Sequence, residues 1–467
     1  MRVDEYAEYD GSGLRELIRR GEIEAGELAE VARTAVDSVS ELNALAYPLF
    51  DEPIPYDVDG PLAGVPFLMK DDGPFAAGRP FTVGSRLLEG AVADGDSLVT
   101  ERARAAGLAI LGASATPEFC ISFATESLLR GPTRNPWDPE RGTGGSSGGS
   151  AALVAARAVP WAHASDGAGS IRVPSAACGV VGLKPSRGLV PVGPHALEAG
   201  FGVTCHFAIT RTVRDAAALL DALAGYAPGE KYRVPKPDAP YSGEPGRDTG
   251  ALRIAVSAGG WYGAPVSEEA AELARAVAAV LERRDRVVEE AAPALEDDDI
   301  LDAYVAVTRL GLAGAVPGSA DLGSLEAATR AFVSEARRTP LADAARGFDA
   351  FNTVSREAGA FFERHDLLVT PTVAREPLPH GALRYDDPAH TGRSWMASIF
   401  EYGPFTSAFN LGGQPAISLP LGLSAAGLPL GVQLVAAQGR EDLLLRAASE
   451  LEARMPWADR RPAITAS

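Results

Sequence analysis

Residues 141–188 read RGTGGSSGGSAALVAARAVPWAHASDGAGSIRVPSAACGVVGLKPSRG. Two glycine–serine clusters, 144–150 and 167–170, flank a short apolar segment. Glycine lets a backbone approach a ligand closely, and a serine hydroxyl can donate, accept or attack. A flexible linker has a similar composition, but the well-patterned apolar sequence around both clusters favours a site. A phosphate loop is disfavoured, because no lysine follows Gly149.

The composition is that of a large globular protein. The chain has 467 residues, of which 46% are hydrophobic, so it can bury a large core. A net charge of −19 argues against a nucleic acid or an anionic membrane as partner. No apolar run is long enough for a membrane span, and the acidic N-terminal segment lacks the pattern of a signal peptide.

Cysteine and histidine usage points to a reducing compartment and to no metal. Cys120, Cys178 and Cys205 lie far apart without a CxxC motif, so no disulfide framework is expected. The six histidines lack HxxxH spacing, which makes a zinc site improbable. We therefore expect a cytoplasmic protein with no metal and no cofactor.

Helix and strand patterns alternate along the chain. Two helices are expected within 12–45, the first capped by Ser12 and the second running from Ala25 to Leu45. A later helix begins at Thr212, where Asp215 completes a capping-box pattern. Alternation of helices and strands is typical of an α/β sheet. Because no clear linker interrupts it, we expect one domain over 1–467, with N-terminal helices (1–50), a catalytic core (60–225) and the remaining sheet and helical cover (251–467).

Lys70 follows the apolar run 65–69, which predicts a buried strand. A strand that delivers a lysine into the interior is unusual. The alternative is that Lys70 extends to the surface where the strand ends.

Taken together, these segments resemble the amidase signature family, serine hydrolases that cleave carboxamides. The resemblance runs from GPLAGVPFLMKD (60–71) through the glycine–serine stretch to FNLGGQPAISLPLG (409–422), nearly the whole chain. Within the family, AHASDGAGSIRVPSAACG and TCHFAITRTVRDAAALLDALAG are most similar to the branch of 6-aminohexanoate-cyclic-dimer hydrolases. The resemblance implies the amidase signature fold, an α/β fold whose large, mixed, mostly parallel sheet is sandwiched between helix layers.

The family's catalytic residues map onto Lys70, Ser146 and Ser170. The lysine ends the strand in the GVPxxxKD motif, and Ser146 is the first serine of GGSSGGS, after a cis peptide bond from Gly145. Ser170 is the nucleophile of the second cluster. The family separates its two serines by 24 residues, as this chain does.

The resemblance implies that Ser170 forms an acyl-enzyme with a linear or cyclic carboxamide. Lys70 would accept a proton from Ser146, which accepts one from Ser170. Because a lysine normally titrates near pH ~10.4, burial would have to favour its neutral form. His163, near the second cluster, is expected in the core or at the surface rather than as the base. The expected oxyanion hole consists of the backbone N–H groups of Gly167, Ala168, Gly169 and Ser170.

Three neighbouring residues are assigned supporting or modifying roles. Asp166 is expected to hold the loop by accepting backbone N–H bonds, and Arg172 to pair with a carboxylate of the protein or of a substrate. Ala168 stands where the family usually has glycine. In a left-handed conformation alanine would cost about 1–2 kcal/mol; otherwise its methyl narrows the pocket. We expect activity to survive this change.

Other functions share the same residues. The acyl group could pass to an amine in a biosynthetic acyltransferase or cyclase, the chain could be the amidase subunit of a glutamine-dependent tRNA amidotransferase, or it could be an inactive scaffold. The expected partner is a small-molecule amide, and a homodimer is left open. We expect pocket walls from 120–129, 195–206 and 300–320, while the sequence leaves the substrate itself undecided.

Overall fold

The computed structural model of the chain describes residues 1–73, 75–194 and 199–467. Its helices are α1 (Val3–Tyr6), α2 (Gly11–Arg19), α3 (Ala25–Ser38), α4 (Leu98–Ala105), α5 (Gly148–Ala155), α6 (Arg172–Cys178), α7 (Val213–Leu223), α8 (Glu268–Leu281), α9 (Asp297–Ala315), α10 (Ala327–Ala336), α11 (Leu341–Phe361), α12 (Gly392–Tyr402), α13 (Ala408–Gly412) and α14 (Glu441–Arg454). Its strands are β1 (Pro66–Lys70), β2 (Ala109–Ser114), β3 (Glu126–Ser127), β4 (Gly131–Pro132), β5 (Trp161–Asp166), β6 (Val181–Lys184), β7 (Cys205–Thr210), β8 (Leu252–Val256), β9 (Arg286–Glu290), β10 (Leu367–Pro371), β11 (Ala416–Leu423) and β12 (Pro429–Ala436).

Eight strands form the main sheet in the order β5-β7-β6-β11-β12-β10-β8-β9. The predicted α/β class with a mixed sheet is confirmed, but the expectation of mostly parallel pairing is wrong. Only β10–β8 and β8–β9 pair in parallel, and the other five pairings are antiparallel. Short connections join antiparallel neighbours, as between β11 and β12, whereas a parallel pair needs a crossover such as α8.

The two faces of the sheet bury different cores. Leu367 and Val369 of β10 belong to the cluster that includes residues of α7, α8 and α14, and α14 packs on both α7 and α8. Leu368, between them, faces a second cluster with Phe361 and Phe409. This period-two alternation is that of a strand covered on both faces.

A smaller parallel pair, β1–β2, places the lysine of the GVPxxxKD motif. β1 packs against β5, at the edge of the main sheet, and α3 covers β1 and β2. Helix α5 packs on β5, β1 and α6. The ends of β1 and β5 and the N-termini of α5 and α6 therefore meet in one region.

Helix α2 begins earlier than expected. Asp10, not Ser12, caps it, and the Asp10 side chain accepts from the Gly13 N–H. The Ser12 hydroxyl instead donates to Asp215 at 2.7 Å. The capping box at α7 is therefore half formed: Thr212 accepts from the Asp215 N–H, while the Asp215 carboxylate binds the α2 N-terminus.

Helix α3 ends at Ser38 rather than near Leu45. A short 3₁₀ turn, Ser40–Leu42, follows, and Asn43 then adopts a left-handed conformation with φ 50° that stops any helix. None of the helices in the described ranges combines the length and apolar character that crossing a membrane requires.

Candidate active site

Lys70 is fully buried at the end of β1. Its Nζ lies 2.7 Å from the Ser146 hydroxyl and 2.9 Å from the Ser165 hydroxyl. The alternative in which Lys70 extends to the surface is therefore wrong, and β1 carries this amine into the interior.

The first glycine–serine cluster places Ser146 against Lys70. The Gly145–Ser146 peptide bond is cis, and the Ser146 carbonyl accepts a hydrogen bond from the Thr116 hydroxyl at 3.1 Å. The next residue, Ser147, donates its backbone N–H to the Ser170 carbonyl at 3.2 Å. The two clusters are thus joined directly.

Glycines in the first cluster are required for space. A Cβ at Gly149 would lie 2.5 Å from the backbone of Ala44 and of Ala115, and one at Gly145 would lie 2.6 Å from the Ser122 carbonyl. Neither glycine has a positive φ. The close backbone approach suggested by the sequence is therefore made to the protein's own chain.

The second cluster leaves its polar groups free. Ser170 is 5% exposed, and its hydroxyl forms no hydrogen bond with another described residue. The backbone N–H groups of 167–170 also have no acceptor among the residues described. Gly169 has φ +145°, and a Cβ there would lie 2.4 Å from the Thr406 hydroxyl. Four unused donors beside a free hydroxyl form a suitable cradle for an oxyanion.

Ala168 carries no left-handed strain, because its φ is not positive. Its carbonyl accepts from the Thr406 hydroxyl at 2.6 Å. Its half-buried methyl packs on an apolar cluster that includes Tyr304 and Phe400. The sequence left two interpretations of Ala168, a strained left-handed backbone and a methyl that narrows the pocket. The second fits this geometry.

Asp166 and Arg172 form a fully buried ion pair. Both guanidinium contacts with the carboxylate measure 2.9 Å, and Asp166 also accepts the backbone N–H of Ile171 at 3.1 Å. Burial opposes ionisation of Asp166, but Arg172 outweighs it and lowers the pKa of the carboxyl to about 2. Arg172 further binds Gln433 and Asn410. These contacts fit a support for the loop of residues 167–170 (the nucleophile loop, after the candidate nucleophile Ser170) rather than a docking point for substrate.

Two histidine side chains in contact with each other support the backbone of Lys70. The Lys70 backbone N–H donates to His163 Nδ1 at 3.2 Å, and His163 Nε2 lies 3.1 Å from His206 Nδ1. Burial lowers the pKa of His163 to about 3, so the ring is neutral. His163 therefore lies in the core, as expected, but in contact with the candidate lysine.

Asp72 lies beside this histidine pair. Its Oδ2 is 3.8 Å from His206 Nδ1 and accepts no hydrogen bond from the residues described. Burial favours the protonated acid, but electrostatic interactions with neighbouring basic residues, His206 and Lys70 among them, outweigh it and lower the pKa of Asp72. A carboxylate thus faces the lysine region.

The ligand atoms of Asp72, His163 and His206 lie within 4.8 Å of one another, close enough to be considered for a metal ion. The tautomer of the neutral His163 ring argues against a metal site here. Because its Nδ1 accepts the Lys70 N–H, a neutral ring carries its proton on Nε2. That nitrogen then has no lone pair for a metal and instead donates to His206.

Sequence reasoning missed Ser165 and the contact of His163 with Lys70. The signal was the alternation of β5, in which His163 and Ser165 share one face and Asp166 lies on the other. The face could be assigned a role only once β1 was known to lie against β5.

The three segments expected to form pocket walls contribute to the cluster that contacts Ala168. Ile121, Phe201 and Tyr304 each belong to it. Residues 195–198 of the second segment lie outside the described residues. Tyr304 also donates to the Gly167 carbonyl at 2.8 Å and so touches the nucleophile loop.

Comparisons with known proteins identify the family of this chain. The Amidase family model matches residues 35–445. The 6-aminohexanoate-cyclic-dimer hydrolase of Paenarthrobacter ureafaciens is 37% identical over 97% of this chain and 96% of its own. A structure of 6-aminohexanoate cyclic dimer hydrolase complexed with substrate superposes with a TM-score of 0.89, at 35% identity over 98% of this chain and 99% of the other.

A more distant likeness is to a bacterial aryl acylamidase of the amidase signature enzymes. Its structure superposes with a TM-score of 0.83, at 25% identity over 96% of this chain and 97% of the other. All three relatives are matched over almost their full length, and the family model spans the catalytic region. This chain belongs to the amidase signature family and is a hydrolase of amide C–N bonds.

Proposed function

We propose that the protein hydrolyses a small-molecule carboxamide through Ser170, Ser146 and Lys70. The observation that carries the proposal is the buried contact of Lys70 Nζ with the Ser146 hydroxyl, beside a Ser170 hydroxyl that has no partner among the described residues. Four free backbone donors adjoin that hydroxyl.

Ser165 orients the lysine for this role. A neutral amine has two N–H donors and one lone pair. When one N–H donates to Ser165, the lone pair is available to the Ser146 hydroxyl. Lys70 then accepts the proton of Ser146, and Ser146 accepts that of Ser170.

Acylation follows from this proton path. The Ser170 oxygen attacks the amide carbon, and the negative charge that forms on the carbonyl oxygen is held by the N–H groups of 167–170. The C–N bond breaks as Ser146 returns a proton to the leaving nitrogen. Water then attacks the ester by the same path and releases the acid.

The substrate class is inferred from the relatives and the wall. The relative named above acts on 6-aminohexanoate cyclic dimer, an uncharged cyclic amide, and the wall beside Ala168 is apolar and aromatic. We therefore propose an uncharged linear or cyclic amide, with this cyclic dimer as the first substrate to assay. Arg172 is not available to a substrate carboxylate, since it is fully buried against Asp166.

A fluorophosphonate probe tests the nucleophile. We expect mass spectrometry to find one adduct on Ser170, and Ser170→Ala to abolish both labelling and amide hydrolysis. Ser147→Ala is the matched control. Ser147 lies in the same region, but its hydroxyl donates to a backbone carbonyl, that of Ser165. A folded protein that is not labelled, or a Ser170→Ala variant that still hydrolyses amides, would overturn the proposal.

Product analysis separates hydrolysis from acyl transfer. With a trapped acyl-enzyme, added amines compete with water. Release of the free acid as the main product supports hydrolysis, whereas a new amide in its place supports transfer.

A further inference from the structure

A cavity lies away from the candidate active site. It has a volume of about 290 Å³ and is bounded by segments 8–10 and 457–462 and by the C-terminal end of α6. Ser170 and the oxyanion donors adjoin the opposite, N-terminal end of the same helix. The cavity therefore belongs to neither the nucleophile loop nor the Lys70 region.

Positive charge dominates the wall of this cavity, although the whole chain carries a net charge of −19. Five arginines line it against three carboxylates. The arginines are Arg157, Arg211, Arg214, Arg460 and Arg461, and the carboxylates are Glu8, Asp10 and Asp459.

Two of the arginines are neutralised by their neighbours. Arg214 binds Asp10 through two nitrogens, and Arg461 binds Glu8 at 2.8 Å. The third acid, Asp459, is exposed to solvent and forms no ion pair with the described residues.

The other three guanidinium groups meet only neutral acceptors. Arg157 donates to the carbonyls of Ala7 and Ala458. Arg211 and Arg460 likewise donate to backbone carbonyls alone. Within the described ranges none of the three has a carboxylate within ion-pair distance.

These three groups keep unused donors and have no ion-pair partner, although the carboxylates of Asp215, Asp10 and Glu8 act on Arg211 at longer range. A guanidinium has five N–H donors, and each of the three has two described acceptors. Burial lowers the pKa of Arg211 and of Arg460, which reports the desolvation of their charge. A desolvated cation without a direct ion-pair partner favours an anion that also accepts its hydrogen bonds.

Two indole rings complete the wall. Trp137 and Trp457 use their N–H groups on the carbonyls of Cys178 and Arg211. They therefore offer the cavity apolar ring surface and no free donor. The polar recognition in this cavity comes from the guanidinium groups.

We propose that this cavity binds a small oxyanion, a phosphate or a carboxylate, at Arg157, Arg211 and Arg460. Planar guanidinium groups recognise both chemistries by paired N–H donors. The ligand is distinct from the amide substrate, and its binding does not depend on the catalytic serine.

Isothermal titration calorimetry at fixed pH and ionic strength tests the proposal, with inorganic phosphate and benzoate titrated separately. We expect one saturable site for at least one of them. Arg460→Gln and Arg157→Gln should each weaken it by about tenfold or more, since each removes a charge-assisted hydrogen bond. Arg253→Gln is the control: Arg253 is an exposed arginine paired with Asp366, and no change in affinity is expected.

Each outcome decides the matter. Binding of phosphate alone assigns a phosphate site, and binding of benzoate assigns a carboxylate site flanked by the indoles. Absence of a saturable site for both anions overturns the proposal, as does an affinity that neither variant changes. Arg157 binds two backbone segments, so its replacement can prevent folding. In that case the anion affinity of the Arg460→Gln variant decides the test, because Arg460 is more exposed.

Discussion

Lys70 is held at its backbone and at its amine by residues of a single strand. The backbone N–H donates to His163 and the Nζ to Ser165, both on one face of β5. Asp72 supplies the nearby negative charge. Strand β5 thus positions the Lys70 amine. The charge of Asp72, two residues after Lys70, influences the electrostatic potential at that amine.

Asp72→Asn should shift the acidic limb of the kcat/KM profile to lower pH. The pKa of Asp72 is lowered, so its carboxylate is ionised over the working range and stabilises positive charge in this region. Without that negative charge, protonation of the site costs more free energy, so the acidic limb should move to lower pH. The other ionisable groups around Lys70, which are Asp71, His163, His206 and Cys120, stay in place.

The measurement is kcat/KM from pH ~5 to ~10 for wild type and variant, an interval centred on the range in which enzyme bases commonly titrate. Asp51→Asn, an exposed aspartate with the same change in net charge, is the control and should leave the profile in place. A shift to higher pH, or none, would show that Asp72 does not act on the lysine.

Ala168→Gly should keep the amidase active and change its acyl preference. The methyl lies in the wall and imposes no left-handed strain, so its removal widens the pocket without releasing backbone energy. The added backbone freedom should cost about 0.5–1 kcal/mol of stability. Rates for a series of acyl chains of increasing bulk measure the effect; an unchanged order of preference would mean that the methyl does not contact the acyl group.

The loop between β5 and α6 is the element on which the candidate chemistry depends. Its four successive N–H groups have no acceptor among the described residues, and side chains from three separate segments fix it. Tyr304 of α9 holds the Gly167 carbonyl, Thr406 holds the Ala168 carbonyl, and Asp166 accepts the first N–H groups after the loop.

Gly169→Ala should reduce kcat by about 10²–10³ or more, the loss typical of a displaced oxyanion donor. Its φ of +145° is one that L residues resist, and the Cβ would lie 2.4 Å from the Thr406 hydroxyl. Gly167→Ala is the matched control, because its φ is not positive and its Cβ would approach the Thr204 hydroxyl only to 3.0 Å. Steady-state kinetics on both variants, after a melting curve shows them folded, makes the comparison. Equal losses would contradict a special role for Gly169.

Local sequence patterns predicted single elements well and their partners poorly. Helix α3 begins at Ala25 and helix α7 follows its predicted cap Thr212, while β1 covers most of the apolar run 65–69. Ser146 is placed against Lys70 as the family motif implies. Sheet pairing and the supporting residues Ser165 and Asn410 depend on contacts between distant segments, which no local pattern records.

At the scale of the whole molecule, Arg172 joins parts of the chain that are far apart in sequence. From α6 it binds Asp166 of β5, Asn410 of α13 and Gln433 of β12, and it donates to the Thr406 carbonyl. Asp166 directly precedes the nucleophile loop, and the Thr406 hydroxyl contacts the Ala168 carbonyl within it. The Asp166–Arg172 ion pair therefore couples the stability of the sheet to the geometry of the candidate site.

Arg172→Gln should lower the free energy of unfolding by about 3–5 kcal/mol, since it leaves Asp166 as an unpaired buried charge. Arg253→Gln removes an exposed pair and should cost no more than about 1 kcal/mol. Urea denaturation of both variants gives the two values. Similar small losses would show that other groups can replace the guanidinium.

The glycines of the first cluster have a consequence for how this family diverges. Gly145 and Gly149 are fixed by the backbones packed against them, not by the reaction, so a descendant that lost catalysis would still be selected to retain them. Such a pseudoenzyme would align as a relative over its full length while lacking chemistry. Under the proposed mechanism, inheritance of activity is therefore traced by Lys70, Ser146 and Ser170 together, and drift at those three positions should precede any drift in the glycines.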